Sequence, residues 1–140
     1  MEKEKFCVHQ VQYYETDAMG IVHHSNYIRW FEEARMFFLK QAGLDYDRME
    51  ERGIIIPVLS ASCDYKMAVR FGAEVKIFLQ IESFNGLRFQ LSYQVYDMEE
   101  KILHATGKTS HCFLDKQMRP VNVKKCAADI YEYFSAYLKK

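Results

Sequence analysis

One carboxylate stands out for its place in the chain. Asp17 lies in the stretch Tyr13-Tyr14-Glu15-Thr16-Asp17-Ala18-Met19-Gly20-Ile21-Val22-His23-His24-Ser25-Asn26-Tyr27, between a strand pattern ending near Tyr14 and a helix pattern opening near Asn26. The unpaired N–H groups and positive dipole end of a helix gather a few residues after it, where they can hold a negative oxygen. A carboxylate facing such a helix end suits acyl chemistry, with Asp17 as base or nucleophile and backbone amides as an oxyanion hole. Spacing alone leaves a plainer account open, in which Asp17 is a turn residue and Gly20 permits a tight bend.

The pattern Tyr-x-Glu-Thr-Asp-x-Met-Gly-Ile-Val-x-His-x-Asn-Tyr, continued by Arg29-Trp30-Phe31-Glu32, resembles the 4-hydroxybenzoyl-CoA thioesterase family of hot-dog-fold acyl-CoA thioesterases. The resemblance is to the bacterial branch with an Asp-x-x-Gly loop and a His-x-Asn-Tyr helix entry. It implies hydrolysis of an acyl-CoA to free acid and coenzyme A, with Asp17 as the reacting carboxylate. It also implies that the backbone N–H of His24 donates to the thioester carbonyl, with the helix end from Gly20 to His24 polarising it. Some members carry the carboxylate on the long helix instead, which keeps Glu32 and Glu33 as rivals to Asp17. The family also has carrier-protein thioesterases and dehydratases as fold-mates, and a non-catalytic acyl-CoA-binding module is a further alternative.

Supporting roles follow from residue type. Tyr27, at the helix mouth with a polar tip, is expected to touch substrate. Asn26 is expected to cap the helix or orient Asp17. Lys66, Arg70, Arg88 and Lys108 are candidates for the nucleotide phosphates, with Lys66 and Arg88 preferred. Water is the only second reactant, so no cofactor is expected. A metal site is not expected either, because the adjacent His23 and His24 should point apart on regular structure and no Cys-x-x-Cys pair occurs.

Composition narrows the partners. Lysine plus arginine equals aspartate plus glutamate at 19 each, so the balanced charge gives no case for nucleic acid or a membrane surface as partner. The 140 residues form one expected domain, residues 1–140, and their 49% hydrophobic content argues against disorder. No apolar leader or membrane-length run is present, which places the expected location in the cytoplasm. Cys7, Cys63, Cys112 and Cys126 are scattered and read as buried, reduced thiols.

The surrounding pattern must position Asp17. A strand is expected from Phe6 to Tyr14, with Cys7, Val11 and Tyr13 on one face. A helix from Asn26 to Ala42, closed by Gly43, carries Tyr27, Trp30, Phe31, Ala34, Phe37, Phe38 and Ala42 on a wide apolar surface, broadened by Ile28 and Leu39. Glu32 and Glu33 also have plain roles as solvated residues or as partners of Arg29 and Arg35. A short helix spans Leu44 to Arg52, and Pro57 marks a strand start or an edge. Alternating strands then run over Val75–Glu82, Arg88–Val95 and Ile102–Leu114, the first two joined at Asn85-Gly86, before an amphipathic C-terminal helix. This order is α+β: an antiparallel sheet wrapped around one long central helix, the hot-dog arrangement implied by the resemblance. Open sheet edges make a homodimer or homotetramer the expected assembly.

Overall fold

The computed structural model describes residues 6–139. Five strands, β1 (Cys7–Gln10), β2 (Val58–Tyr65), β3 (Glu74–Phe84), β4 (Arg88–Asp97) and β5 (Leu103–Cys112), form one antiparallel sheet in the order β1-β3-β4-β5-β2. Helix α1 (Ser25–Gln41) packs against one face of the sheet, with the short α2 (Tyr46–Glu51) after it. Two further helices, α3 (Val123–Cys126) and α4 (Ala128–Ala136), close the chain. The α+β hot-dog architecture is the one expected.

Alternation explains the sheet. Val75, Ile77 and Ile81 of β3 and Phe89, Leu91, Tyr93 and Val95 of β4 all turn inward and are buried. They meet Tyr27, Trp30, Phe31, Ala34 and Leu39 of α1 in one cluster. Residues two apart share a strand face, whereas those three or four apart share a helix face, so the two patterns interlock only when sheet and helix are layered. Phe31 stacks on Tyr93 with ring centroids 4.3 Å apart. The space for that ring comes from Gly107 of β5, where any Cβ would collide with Phe31.

The first strand is shorter than its pattern suggests. β1 stops at Gln10, and Tyr13–Glu15 forms a 3-10 turn instead of more strand. The Glu15 carboxylate accepts the Gln12 N–H at 2.8 Å, which wraps the chain back on itself. Tyr13 therefore leaves the Cys7–Val11 face and is 78% exposed. Ile28, expected to widen the helix stripe, is also exposed, and Cys126 is an exposed thiol, unlike the other three. Pro57 does precede an edge strand: β2 pairs only with β5, and its residues are exposed on both faces apart from half-buried Cys63.

Candidate active site

The Asp17 loop is a small closed hairpin. Thr16 bridges Val22, the Asp17 N–H donates to the Ile21 carbonyl at 2.8 Å, and the Gly20 N–H donates to the Asp17 carbonyl at 3.0 Å. Gly20 sits at φ +77°, the left-handed region in which only glycine is unstrained. One Asp17 oxygen accepts the Met19 N–H at 2.8 Å; the other takes no hydrogen bond among the described residues. Ile21 bridges Arg70 and Val22 donates to Val69, which ties the loop to the segment between β2 and β3.

The helix start follows this loop directly, and the His23 N–H donates back to the Glu15 carbonyl at 2.8 Å. The backbone N–H of His24 has no acceptor among the described residues, and the His24 carbonyl accepts from Tyr27 N–H and, at 3.4 Å, from the Tyr65 hydroxyl. Asn26 does not cap the helix: the cap position is His24, whose side chain makes no cap hydrogen bond, and the Ser25 N–H donates to His23 Nδ1 at 3.2 Å. His23 and His24 precede regular helix, so their rings do not point apart but lie together, tilted by 31° with centroids 4.1 Å apart. Among the described residues no three histidine, cysteine or carboxylate side chains converge as metal ligands.

Asn26 is buried inside the first turn and neither caps the helix nor touches Asp17. Its side-chain N–H group donates to the Glu15 carbonyl at 2.9 Å and to the His23 carbonyl at 3.2 Å. Tyr27 is buried too, its ring 4.9 Å from Trp30 and 5.1 Å from Tyr65, and burial pushes its phenol up to about 12. Exposed Tyr65, rather than Tyr27, forms the surface at the helix mouth.

The carboxylate that sequence reasoning missed is Glu15, only 4% exposed. It accepts from the Gln12 N–H, from the Trp30 indole at 2.7 Å and from His9 Nε2 at 2.8 Å, while its own carbonyl accepts from the His23 N–H and Asn26. Burial alone would push this carboxyl up, but the three hydrogen bonds and the charge of His9 hold it below its usual value. His9 Nδ1 in turn meets Glu33 at 2.7 Å. Burial would lower the His9 pKa; the two carboxylates outweigh it and raise it. A signal for His9 existed, since period two puts it between Cys7 and Val11 on the inward face. Glu15 had none, because the turn breaks the period. Glu33 is thus engaged by His9, and Glu32 is exposed.

The four candidate cations separate. Lys66 follows β2 directly, its N–H on the His104 carbonyl, and Arg70 touches the loop through Ile21, so both lie at the Asp17 end. Arg88 pairs with Cys112, and Tyr65 with Ala105, so Arg88 stands roughly 20 Å farther along the sheet. Lys108, exposed, lies between them opposite Ser62 and Ser92. Arg88 and the Asp17 loop of the same chain do not meet.

The chain has clear relatives in sequence and in fold. The model of the thioesterase-like superfamily matches residues 11–132, which covers the loop, the long helix and the whole sheet beyond β1. The chain belongs to that superfamily. A protein of Aquifex aeolicus (strain VF5) with a provisional esterase name is 40% identical over 83% of this chain and 88% of its own. YneP of Bacillus subtilis (strain 168), which carries a provisional acyl-CoA thioesterase name, is 33% identical over 93% of this chain and 92% of its own. A DHNA-CoA thioesterase from Staphylococcus aureus superposes with a TM-score of 0.88 at 29% identity, covering 94% of this chain and 89% of that one. The hot-dog fold and the thioester-hydrolase class expected from the resemblance both stand.

Proposed function

We propose that the protein hydrolyses an acyl-CoA, with Asp17 as base or nucleophile and the His24 N–H as an oxyanion donor. The observation that carries this is that two free groups lie within eight residues of each other: an Asp17 carboxylate oxygen and the His24 N–H at the helix start, neither with a hydrogen-bond partner among the described residues. The thioester carbonyl oxygen takes the amide hydrogen bond. Asp17 then either removes a proton from water as its oxygen attacks the carbonyl carbon, or attacks that carbon itself and is released by water. In both routes the C–S bond breaks, coenzyme A leaves as the thiol and the acid is freed. The residues need no cofactor for this. The acyl-CoA-binding-module alternative is disfavoured because mere binding does not call for a carboxylate at the reacting carbon. The narrower kinship to 4-hydroxybenzoyl-CoA thioesterases rests on the motif from Tyr13 to Glu32.

A second copy completes the reading. Around the loop, Tyr13, Met19, Tyr65, Met67 and Phe71 are exposed, and β2 offers an unpaired edge beside them. Two β2 edges meeting about a two-fold axis run antiparallel, which sets the Val58 end of one against the Tyr65 end of the other. The partner's Arg88 then approaches the Asp17 end of this chain, where Lys66 already lies, and both suit the nucleotide phosphates. No helix among the described residues is long and apolar enough to cross a membrane, and the cytoplasm, where acyl-CoA is made and used, is the location this reading favours.

The test is thiol release across a panel of aliphatic and aromatic acyl-CoAs, with Asp17→Asn beside the native protein. General base catalysis is worth about a hundred- to ten-thousand-fold, and a loss of that size in a folded variant is expected. Native-like turnover in Asp17→Asn overturns the mechanism.

A further inference from the structure

We propose that His9 is a positioning residue for this hydrolysis: as an imidazolium donating to Glu15 and Glu33 at once, it locks the turn before Asp17 against helix α1. The proposal rests on the reading of Asp17 as the reacting carboxylate.

The geometry fixes the protonation state. Nε2 stands 2.8 Å from a Glu15 oxygen and Nδ1 stands 2.7 Å from a Glu33 oxygen. A carboxylate only accepts, and a neutral imidazole carries one N–H, so both contacts are hydrogen bonds only when the ring holds two protons. The ring also lies 4.7 Å from the Trp30 ring, whose indole N–H shares the same Glu15 carboxylate. His9 thereby joins three elements: β1, the 3-10 turn and α1.

The lock reaches the reacting groups through Glu15. Its side chain is held by Gln12, Trp30 and His9, and its carbonyl holds His23 and Asn26, the residues on either side of His24 and Ser25. Asp17 follows two residues after Glu15, separated by Thr16, whose hydroxyl is itself tied to the Tyr13 carbonyl at 2.8 Å. Fixing Glu15 fixes both the carboxylate loop and the direction of the His24 N–H.

Other charges near His9 do not replace this role. It lines a cleft of about 600 Å³ between β1 and α1, where the further charged groups are Lys40 of α1 and Asp45 and Asp47 at the start of α2. The cleft also holds the phenols of Tyr14 and Tyr46 and the thiol of Cys7, which burial and then Glu33 push up to about 11. Across the ladder β3 presents Val75 to His9, with Glu74 beside Gln10. Among the described residues, Glu15 and Glu33 alone hydrogen-bond the ring. When the ring loses a proton it keeps one donor, and the other carboxylate then faces a lone pair. Turnover should therefore fall on the alkaline side as the lock opens, while substrate binding, which uses other residues, changes little.

The experiment combines steady-state kinetics with NMR titration of the His9 ring in the native protein, Glu33→Gln and His9→Asn. Glu33→Gln removes one charge at a half-exposed site and should not disturb folding. The native protein is expected to show a His9 pKa above its ordinary value and an alkaline fall in kcat at the same pH. Glu33→Gln should move both downward together, and His9→Asn should lower kcat about ten- to a hundred-fold, the scale of a misplaced reacting group, with KM changed less than about twofold. A His9 pKa at or below the ordinary value, an alkaline limb that ignores Glu33→Gln, or a fully active His9→Asn overturns the proposal. Full activity in Asp17→Asn overturns the underlying reading instead. An alkaline limb unmoved by Glu33→Gln while Asp17 proves essential overturns the role of His9 alone.

Discussion

The two halves of helix α1 bury opposite charges, and the protein treats them differently. Near the start, Glu15 has three donors and a charged partner in His9. Farther along, Arg35 is 6% exposed and has no carboxylate within ion-pair distance among the described residues; it gives one hydrogen bond, at 3.0 Å, to the Tyr93 hydroxyl, and its Nε has no acceptor. Tyr93 meets Thr109 Oγ1 at 2.6 Å, Thr109 meets His111 Nε2 at 2.8 Å, and His111 Nδ1 meets the Pro57 carbonyl at 3.1 Å. With each group donating to the next, Arg35 to Tyr93 to Thr109 to His111, the chain is satisfied only when His111 is neutral. One end of the helix thus holds a charged histidine between two carboxylates, and the other a neutral histidine beside a guanidinium. A buried charge is fixed in place by its partners in the first case and merely tolerated in the second.

The largest expected effect breaks the first arrangement. Glu15→Ala removes the acceptor of the Gln12 N–H, of the buried Trp30 indole and of one side of His9. Removing one partner of a buried charged network costs about 3–5 kcal/mol, so the melting temperature should fall by roughly 10 °C or more. Thermal unfolding near neutral pH checks this. A loss under about 1 kcal/mol would show that the network is not a stabilising unit.

How much of this contrast was readable beforehand depends on whether a local period reports it. The Asp17–Gly20 loop, the Asn85-Gly86 turn and the inward residues of β3 and β4 follow from spacing, because a turn or a pleat constrains only its immediate neighbours. Arg35 has a signal that charge obscures: it lies four residues after Phe31 and three before Phe38, on the buried stripe, yet a guanidinium there reads as a partner of Glu32 or Glu33. Glu15 had no such signal. Its partners His9 and Trp30 come from six residues before and fifteen after, and only the assembled layers bring them together. The separation of Arg88 from Asp17 is likewise a property of strand register, which pairing sets and residue type does not.

The next effect contrasts the two histidines by pH. Burial, and then the charge of Arg35, push the His111 pKa down to about 4 from an ordinary 6.5. The unfolded chain takes up this proton before the folded one does, so stability falls as pH drops from 6.5 toward 4, by on the order of 3 kcal/mol at completion. His9 runs the other way. Its folded pKa is raised, so its contribution is complete below the unfolded value of 6.5 and is lost as pH rises through the folded value. Glu15, held low, adds stability above the ordinary carboxylate value and loses it only in stronger acid. Denaturation measured across pH 4–9 should therefore show a maximum near neutrality. His111→Gln should flatten its acid side and Glu33→Gln its alkaline side. The reverse assignment would mean that the charge states of the two rings are exchanged.

The smallest expected change concerns Arg35 itself, and its smallness is the point. A buried guanidinium without an anionic partner loses its hydration and recovers only neutral hydroxyls, the Tyr93 hydrogen bond and nearby Tyr46, so it should contribute little net stability. Arg35→Met keeps an unbranched stem among Phe38, Leu39 and Leu91 and removes the charge; these residues, with Ile81, Tyr133 and Phe134, line a small cavity of about 20 Å³ that a flexible thioether can fill. Tyr93 loses one incoming donor but still donates to Thr109. The expected stability change at neutral pH is within about 1 kcal/mol of zero or in favour of the variant, against the several kcal/mol lost in Glu15→Ala. A second reading comes from His111. Without the positive charge nearby, its pKa should rise toward the ordinary value, and the acid limb should shift with it. Chemical denaturation at neutral pH and NMR titration of the His111 ring test both parts. A loss above about 3 kcal/mol, with His111 unmoved, would show that Arg35 is held by its surroundings as firmly as Glu15 is, and the contrast between the two ends of α1 would fail.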